Sequence, residues 1–153
     1  AELLRLLAES ENVTLLPVTS RSEEQYKRIE LPVQPRFALI CNGKALFENG
    51  SVSAAWEELL SPVVQKQLPE AERLLAEYRD MPQFTAVRIV DGKFLFAACT
   101  DPQTAQKMQE KLAPQTTLGL MLSGRKLYWF PKGADKGTAV RRFAEMHGFR
   151  WSE

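Results

Sequence analysis

The amino-acid sequence predicts an α/β fold in which a strand–helix–strand core is interrupted by an inserted α+β module. Two short apolar runs, residues 13–18 and 37–41, are typical of buried parallel strands, and a helical stretch separates them. Farther along, hairpin signals at residues 91–92 and 123–124 alternate with helical patterns, which indicates a separate α+β module. A last helical pattern then returns the chain to the core.

The core begins with an amphipathic helix and continues into the first apolar run, VTLLPV. We predict a second helix over residues 23–29, because Ser22 with Gln25 three residues later forms the capping-box pattern. The run FALIC follows as a second buried strand. Two Asn-Gly pairs after it, at residues 42–43 and 49–50, predict a hairpin at the edge of the core.

The inserted module consists of two helices and two hairpins. Its predicted elements are, in chain order, helix 56–79, strands 84–90 and 93–100, helix 102–112 capped by Asp101, and strands 117–122 and 126–130. Asp135 then precedes the last helix, and Gly148 is well placed to end it.

The charge balance excludes several classes of protein. Lys plus Arg number 20 and Asp plus Glu number 19, which gives a formal net charge of +1. A dedicated binder of nucleic acid or anionic membrane normally has a strong basic excess, so we expect no nucleic-acid and no membrane partner. No apolar run approaches the roughly 20 residues that a transmembrane helix needs. We predict a cytoplasmic protein, and the sequence leaves its oligomeric state open.

The two cysteines, Cys41 and Cys99, each lie in an apolar stretch that is typical of a strand. We expect two buried free thiols of a reducing compartment, with a disulfide as the alternative. Neither cysteine has metal-type neighbours in the sequence.

Two groups of polar residues follow the predicted core strands. Thr19, Ser20 and Arg21 lie between the first apolar run and a capped helix, where a hydroxyl, backbone N–H groups and the positive helix end favour an anion. Asn42 and Gly43 follow the neighbouring strand, so we expect them at the same edge of the sheet. The residues leave two alternatives open: an ordinary polar turn for the first group and a plain hairpin turn for the second.

Lys136 lies in the first turn of the last predicted helix, where the helix dipole disfavours a cation. A lysine in that position is easier to explain if an anion binds beside it. The alternative is a solvated lysine, because the unfavourable dipole costs only about 0.3 kcal/mol.

The order of these three groups resembles that in phosphatases of the haloacid-dehalogenase (HAD) superfamily. The string LLPVTSR resembles the second motif of that superfamily, and ALICNGKALFENG is similar to the Asn-Gly-Ala segment and hairpin of its Cof-type sugar-phosphatase branch. PKGADKGTAVRRFAEMHGF is similar to the third motif, a Lys-Gly pair that opens a helix. Two positions depart from the pattern: Ser20 replaces the more usual glycine, and Lys44 stands where alanine is usual.

The resemblance implies a partial Rossmann-like HAD core, residues 1–57 and 131–153, with an inserted α+β cap domain at residues 58–130. It also implies a magnesium-dependent phosphomonoester hydrolase, by default one that acts on sugar phosphates, whose partner is a small phosphorylated metabolite. The cap would close over the site and select the substrate, as lids do.

The same resemblance implies roles for individual residues. Thr19 would bind the transferring phosphoryl group with help from the Ser20 backbone, and Lys136 would neutralise the charge of the phosphate and of the nucleophile. Thr19 and Lys136 are thus the implied catalytic residues. Arg21 stands where the superfamily commonly has arginine.

The remaining implied residues concern the substrate. Asn42, with Gly43 beside it, would contact substrate near the cap. Arg88 and Arg125 are implied as cap charges that face the substrate, and surface solubility explains them equally well.

The superfamily's aspartate nucleophile and the acidic residues that hold magnesium are absent from this sequence. We expect those segments before Ala1 and after Glu153, so the sequence predicts an incomplete core that holds no metal ligand and is a phosphatase only as part of an intact protein. The alternative is a non-catalytic, phosphate-binding remnant of the same fold. A third hypothesis, a nucleic-acid module, is disfavoured because Tyr128, Trp129 and Phe130 alternate between the faces of a strand.

Overall fold

The computed structural model of the chain describes residues 2–149, which form five α-helices and seven β-strands. The helices are α1 (Glu2–Glu9), α2 (Glu23–Lys27), α3 (Ala54–Tyr78), α4 (Pro102–Leu112) and α5 (Lys136–Met146). The strands are β1 (Phe37–Ile40), β2 (Ala45–Glu48), β3 (Ser51–Val52), β4 (Phe84–Val90), β5 (Phe94–Cys99), β6 (Gly119–Ser123) and β7 (Lys126–Phe130). Short 3-10 helices follow β1 and α4, at Cys41–Gly43 and Ala113–Gln115.

Two compact units make up the described chain. Unit 2 is Leu60–Ala134, and unit 1 is the remainder on either side of it. Unit 2 is therefore an insertion in the sequence of unit 1.

The sheet of unit 1 has the strand order β1-β2-β3, and both pairs are antiparallel. All four residues of β1 are buried, as expected for the continuous apolar run FALI. The chain reverses direction at residues 41–43 and again at residues 49–50. The hairpin that the two Asn-Gly pairs predict is therefore confirmed.

The prediction of a regular strand over residues 13–18 is wrong in extent. The segment has no regular secondary structure apart from a single parallel bridge, between Val18 and Leu39. In this bridge the Leu39 N–H donates to the Pro17 carbonyl at 2.8 Å, and the Thr19 N–H donates to the Leu39 carbonyl at 2.8 Å. The next parallel bridge would need a donated N–H from Pro17, which proline lacks, so the ladder stops there.

Helix α2 begins with the predicted capping box. The Gln25 N–H donates to Ser22 Oγ at 3.2 Å, and the Ser22 N–H donates to Gln25 Oε1 at 3.1 Å. Two of the orphan N–H groups at the helix start are thereby satisfied by neighbouring residues.

Helix α5 has the predicted boundaries and packs on β1. Asp135 caps its start, and Gly148, which follows the C-cap residue His147, has a φ of +69°. The ring of Phe143 lies edge-on to that of Phe37, with centroids 5.0 Å apart, and His147 stacks on Phe143 at 4.2 Å. These ring contacts attach the closing helix to the first strand of the sheet.

Unit 2 is an antiparallel sheet of order β4-β5-β7-β6 whose core is closed by α3 and α4. The fully buried side chains of this core include Leu74 of α3, Ala105 of α4 and Trp129 of β7. Its other members are Ala71, Tyr78, Phe84, Leu95, Ala97, Cys99, Met108, Leu112, Leu118 and Leu127. The α+β composition that the sequence predicted for this segment is confirmed.

The side chains of β7 alternate between the two faces of the sheet, as predicted. Trp129 belongs to the core under the helices. Tyr128 instead contacts the rings of Phe94 and Phe96, with centroids 6.1 Å and 5.5 Å apart, on the other face.

Both cysteines are buried and neither forms a disulfide, as the sequence predicted. Burial raises the pKa of the Cys99 thiol, with a further contribution from the charge of Asp101. No helix within residues 2–149 has both the length and the apolar character that crossing a membrane requires.

Replacing Leu74 by alanine is expected to lower the free energy of unfolding by about 2–5 kcal/mol, because this side chain is fully buried and its loss leaves a cavity. Leu59→Ala on the same helix is the matched control, since Leu59 is 48% exposed, and should cost less than about 1 kcal/mol. Denaturant titration followed by circular dichroism measures both. Equal losses would contradict the assignment of Leu74 to the core.

Candidate functional site

The loop of residues 19–21, which follows Val18, is fixed in place by backbone hydrogen bonds. The Asn42 N–H donates to the Thr19 carbonyl at 3.0 Å, and the Cys41 N–H donates to the Arg21 carbonyl at 2.9 Å. Thr19 Oγ1 accepts from the Arg21 N–H at 3.2 Å, which leaves the hydroxyl hydrogen able to donate elsewhere. Thr19 and Ser20 are half-buried and Arg21 is exposed. The loop therefore lies against the turn that follows β1.

That turn has an unusual backbone. Cys41, Asn42 and Gly43 have φ values of +52°, +57° and +81° in succession. Glycine and asparagine tolerate this left-handed region, whereas for cysteine it is strained. Strain of this kind persists only where the surrounding structure holds it, and here the two backbone hydrogen bonds to the Thr19–Arg21 loop supply that support.

The same turn packs tightly against helix α5. A Cβ atom built on Gly43 would lie 2.3 Å from the Cβ of Ala139 and 3.6 Å from the Asp135 carbonyl oxygen. The Trp56 indole N–H donates to the Gly43 carbonyl at 3.1 Å and fixes the other side of the turn. Only glycine fits at position 43, because any side chain would push the turn away from α5.

The first turn of α5 carries the predicted Lys136. Asp135 Oδ1 accepts from the Thr138 N–H at 2.8 Å and from the Thr138 hydroxyl at 3.0 Å. These hydrogen bonds, together with a smaller attraction from Lys44, hold the pKa of Asp135 below its ordinary value. Lys136 itself is half-buried. The carboxylate at this helix end is therefore committed to capping, and Lys136 is the side chain that α5 can offer to an anion.

The structure thus brings three of the predicted groups together. The Thr19–Arg21 loop contacts the 41–43 turn, and the turn contacts the start of α5. We refer to this arrangement as the loop–turn–helix cluster.

Lys44 is a member of this cluster that sequence reasoning did not single out as a site residue. Its side chain is 2% exposed, although it carries an ammonium group. Burial lowers the pKa of Lys44 to about 8, and attraction from Cys41 and Asp135 opposes that shift in part. The one signal in the sequence was that lysine stands where the resembled motif has alanine.

Asn42 is the second buried polar side chain of the cluster. It is 2% exposed, and neither Nδ2 nor Oδ1 has a hydrogen-bond partner among the residues that the structure describes. An unsatisfied buried donor or acceptor costs about 1–3 kcal/mol, so an amide without partners is rare in a native structure. The amide can satisfy a group that offers both an acceptor and a donor, such as a hydroxyl-bearing ligand or water.

The two predicted arginines of unit 2 are exposed and are not part of this cluster's residues. The Arg88 guanidinium lies 5.0 Å from the centroid of the Phe96 ring, a cation–π contact. Arg125 lies in the turn between β6 and β7, and its carbonyl accepts from the Cys99 N–H at 2.8 Å.

Within residues 2–149 no three His, Cys, Asp or Glu side chains are grouped as a metal site requires. Magnesium prefers carboxylate oxygens, and the carboxylate of the cluster, that of Asp135, is engaged in capping α5. The described residues therefore do not fit a magnesium ion.

Comparison with known proteins gives a consistent fold. The chain superimposes on the sucrose-phosphatase of Synechocystis, determined in complex with sucrose and phosphate, with a TM-score of 0.64 and 16% identity over 97% of this chain and 65% of that one. A haloacid dehalogenase-like hydrolase from B. subtilis gives a TM-score of 0.58 and 12% identity over 97% of this chain and 72% of that one. A trehalose-6-phosphate phosphatase related protein gives a TM-score of 0.53 and 17% identity over 95% of this chain and 63% of that one.

Other comparisons add little. No family model matches the chain. The alanine–tRNA ligase of Ignicoccus hospitalis is 29% identical over 89 residues, which cover 56% of this chain and 10% of the ligase. A likeness to one tenth of a long enzyme carries no conclusion about activity.

At identities this low, the superpositions establish a shared fold and do not establish a shared activity. The predicted α/β fold of the HAD type is thus confirmed. The chain spans about two thirds or less of the length of the sucrose-phosphatase and of the trehalose-6-phosphate phosphatase related protein.

Gly43→Ala is expected to destabilise the protein more than Gly50→Ala does. Both glycines have φ above +80°, so each substitution carries a backbone cost of about 1 kcal/mol. Only the Gly43 change also overlaps Ala139, which adds roughly 1–3 kcal/mol, whereas nothing lies within 4 Å of the Gly50 site. Denaturation midpoints of the two variants measure the difference, and equal midpoints would contradict the close approach to α5.

Lys44→Met should stabilise the protein near pH 7 by on the order of 3 kcal/mol, because the wild-type fold must bury a charge there. The native pKa of about 8 lies below the ordinary 10.5 of the unfolded chain, so between these values the unfolded state binds more protons. Wild-type stability should therefore rise relative to the variant from pH 8 to 10.5, and the gap should close. Denaturant titrations at several pH values measure this gap.

Lys107→Met, at an exposed position on α4, serves as the control and should show no such pH-dependent gap. A stability difference for Lys44→Met that stays constant from pH 7 to 10.5 would mean that Lys44 keeps its ordinary pKa.

Proposed function

We propose that this chain, which has the α/β fold of the HAD-like hydrolases, is the phosphate-binding part of a phosphomonoester hydrolase that acts on a phosphorylated sugar. The observation that carries the proposal is the loop–turn–helix cluster, in which a hydroxyl-bearing loop, a buried amide and a lysine at a helix start come together in unit 1. Hydroxyls, N–H groups and ammonium groups are the donors that hold a phosphoryl group.

Each member of the cluster has a proposed role. The Thr19 hydroxyl retains a hydrogen to donate to a phosphoryl oxygen, and the Ser20 backbone N–H donates beside it. The Lys136 ammonium balances the negative charge that phosphoryl transfer spreads over the oxygens. Arg21 is exposed next to this loop and contributes a further positive charge. Asn42, at the turn with Gly43, uses its unpaired amide to orient the substrate.

The substrate class follows from the structural neighbours. The sucrose-phosphatase was determined with sucrose and phosphate, and a second neighbour is related to a trehalose-6-phosphate phosphatase. We extend this class to the present chain as a proposal. Unit 2, inserted between the two parts of unit 1, is proposed as the cap that selects the sugar, with Arg88 and Arg125 as charges that face it.

Magnesium is the metal that the fold implies. Because residues 2–149 do not supply its ligands, the proposal assigns these residues to binding and orienting the phosphate and to no metal-bound step. We also propose that the protein is cytoplasmic.

A second candidate is a phosphate-ligand binder without catalysis. The observation in its favour is that Asp135, the carboxylate of the cluster, accepts the hydrogen bonds that cap α5 and is not free to attack phosphorus. The same experiment distinguishes the two candidates.

Inorganic phosphate titrated into the isotopically labelled chain is expected to shift the backbone amide resonances of Ser20, Gly43 and Gly137. Lys136→Gln should weaken this binding by roughly tenfold or more, because a charge-assisted hydrogen bond contributes about 1.5–3 kcal/mol. Arg141→Gln removes an exposed charge from the same helix and is the matched control, for which we expect little change. Nuclear magnetic resonance titration measures the dissociation constants.

Turnover is measured separately on the intact protein that contains this chain as its phosphate-binding part, with p-nitrophenyl phosphate and glucose 6-phosphate as substrates and with magnesium or a chelator. Hydrolysis that is lost in Lys136→Gln supports the hydrolase. Phosphate binding without hydrolysis supports the non-catalytic binder. Amide resonances of unit 1 that do not respond to phosphate would contradict both candidates.

A further inference from the structure

Lys44 is a buried charge of the loop–turn–helix cluster to which the proposed phosphate site gives no role. Its side chain is 2% exposed, so the ammonium group is enclosed by protein. Residue 44 directly follows the turn, and its N–H donates to the Cys41 carbonyl at 3.2 Å. Lysine is almost never fully buried unless an opposite charge accompanies it. The ammonium group therefore requires a negative partner nearby.

The start of α5 supplies that negative partner. The turn lies directly against it, since a Cβ atom built on Gly43 would lie 3.6 Å from the Asp135 carbonyl oxygen. Burial lowers the pKa of Lys44 to about 8, and attraction from Cys41 and then from Asp135 opposes that shift. The pKa of Asp135 is lowered mainly by its hydrogen bonds to Thr138, and the charge of Lys44 adds to that effect. Lys44 and the helix cap thus attract each other.

The charges of Asp135 and Lys136 oppose each other at the start of α5. Asp135 is the N-cap residue and Lys136 follows it, so one negative and one positive charge lie beside the proposed phosphate site. The carboxylate stays ionised at neutral pH, because the hydrogen bonds that cap the helix lower its pKa. A carboxylate in this position repels a phosphoryl group. The positive charge of Lys44 changes the balance in favour of the anion, and burial keeps that charge from being screened by salt.

Packing alone does not explain a charge at position 44. Burial of an ammonium group is unfavourable, and the lowered pKa of Lys44 is the measure of that cost. An apolar side chain would avoid it, which is the reason that Lys44→Met is expected to stabilise the chain. Lysines whose pKa is shifted by burial and by a charged partner are concentrated at functional sites. Lys44 meets this description and belongs to the cluster that we propose as a phosphate site.

We propose that Lys44 is a positioning residue of the phosphate site, in which its buried ammonium group offsets the Asp135 carboxylate so that the start of α5 attracts a phosphoryl group. Lys44 acts through this charge balance and does not itself contact the anion. The inference rests on the proposed function, since it adds a residue and a form of regulation to the same site.

The role of Lys44 makes anion binding depend on pH. The titratable groups that act on it are Cys41 in its own turn and Asp135 in the cap of α5. Below pH 8 the lysine carries its proton and favours the anion. As the pH rises through the pKa of about 8, the proton is lost and the anion affinity falls. Because the coupling is reciprocal, a bound anion raises the pKa of Lys44.

Sulfate is the probe for this test, because it resembles phosphate in shape and keeps two negative charges from pH 7 to 10. Its affinity is measured from the methyl resonances of Thr19, Thr138 and Ala139 in the isotopically labelled full chain, since methyl protons do not exchange with water at high pH. The wild type should lose about tenfold in sulfate affinity over this range. Lys44→Met should bind sulfate about tenfold more weakly than the wild type at pH 7, and its affinity should be nearly independent of pH.

A second variant separates a charge effect from damage to the site. Asp135→Asn removes the negative charge and keeps a side chain that caps a helix about as well as aspartate does. Combined with Lys44→Met, it should restore the sulfate affinity at pH 7 to within about threefold of the wild type. Removing a carboxylate would not repair a site that Lys44→Met had merely distorted. Lys107→Met, at an exposed position on α4, is the control and should bind sulfate as the wild type does at each pH.

Equal sulfate affinity of Lys44→Met and the wild type at pH 7 would overturn the inference and leave the proposed phosphate site in place. A double variant that binds as weakly as Lys44→Met would show that the lysine has only a structural role. A pH dependence that persists in Lys44→Met and disappears in Cys41→Ser would assign the effect to the thiol instead. A wild type that binds neither sulfate nor phosphate at any pH would contradict the proposed function itself.

Discussion

The close approach of the 41–43 turn to helix α5 is the constraint on which the candidate site depends. Gly43 and Ala139 meet at a distance that leaves no room for another side chain, and the Trp56 indole holds the turn from the opposite side. Because the Thr19–Arg21 loop is bonded to the same turn, the position of the turn determines where both the loop hydroxyl and the Lys136-bearing helix start lie. One glycine thus links three segments that are far apart in the sequence.

This arrangement carries a free-energy cost that packing alone does not require. A buried lysine, a buried amide without partners and a strained cysteine backbone occur within four consecutive residues. Each is unfavourable in an apolar interior, and strained or unsatisfied groups cluster where proteins bind ligands. Their concentration in residues 41–44, beside the two other predicted groups, supports the binding role that we propose for unit 1.

Unit 2 combines an apolar core with one buried polar side chain, that of Gln67. The sheet and helices bury a continuous set of apolar side chains, and this burial is the main favourable contribution to the stability of the unit. Gln67 differs from that pattern, since it lies on α3 close to this core and yet keeps one amide atom unpaired.

Features that depend on neighbouring residues could be predicted from the sequence. The hairpin turns at glycine-containing pairs, the Ser22 capping box, the Asp101 and Asp135 caps and the alternation along β7 are all present, because each is set by contacts within a few residues. The order of the three polar groups resembled that of a known superfamily. This resemblance predicted the HAD-type fold, and the structural neighbours share that fold.

Tertiary structure decided what depends on distant segments. The parallel pairing at Val18 stops because Pro17 has no N–H to donate to β1, and only the fold shows that Pro17 lies beside β1. The burial of Lys44 and the unpaired oxygen of Gln67 likewise follow from which segments meet in space. The sequence by itself determined the local elements and the order of the candidate residues. Only the fold determined which polar groups were removed from water, because burial is a property of packing between segments that no local pattern contains.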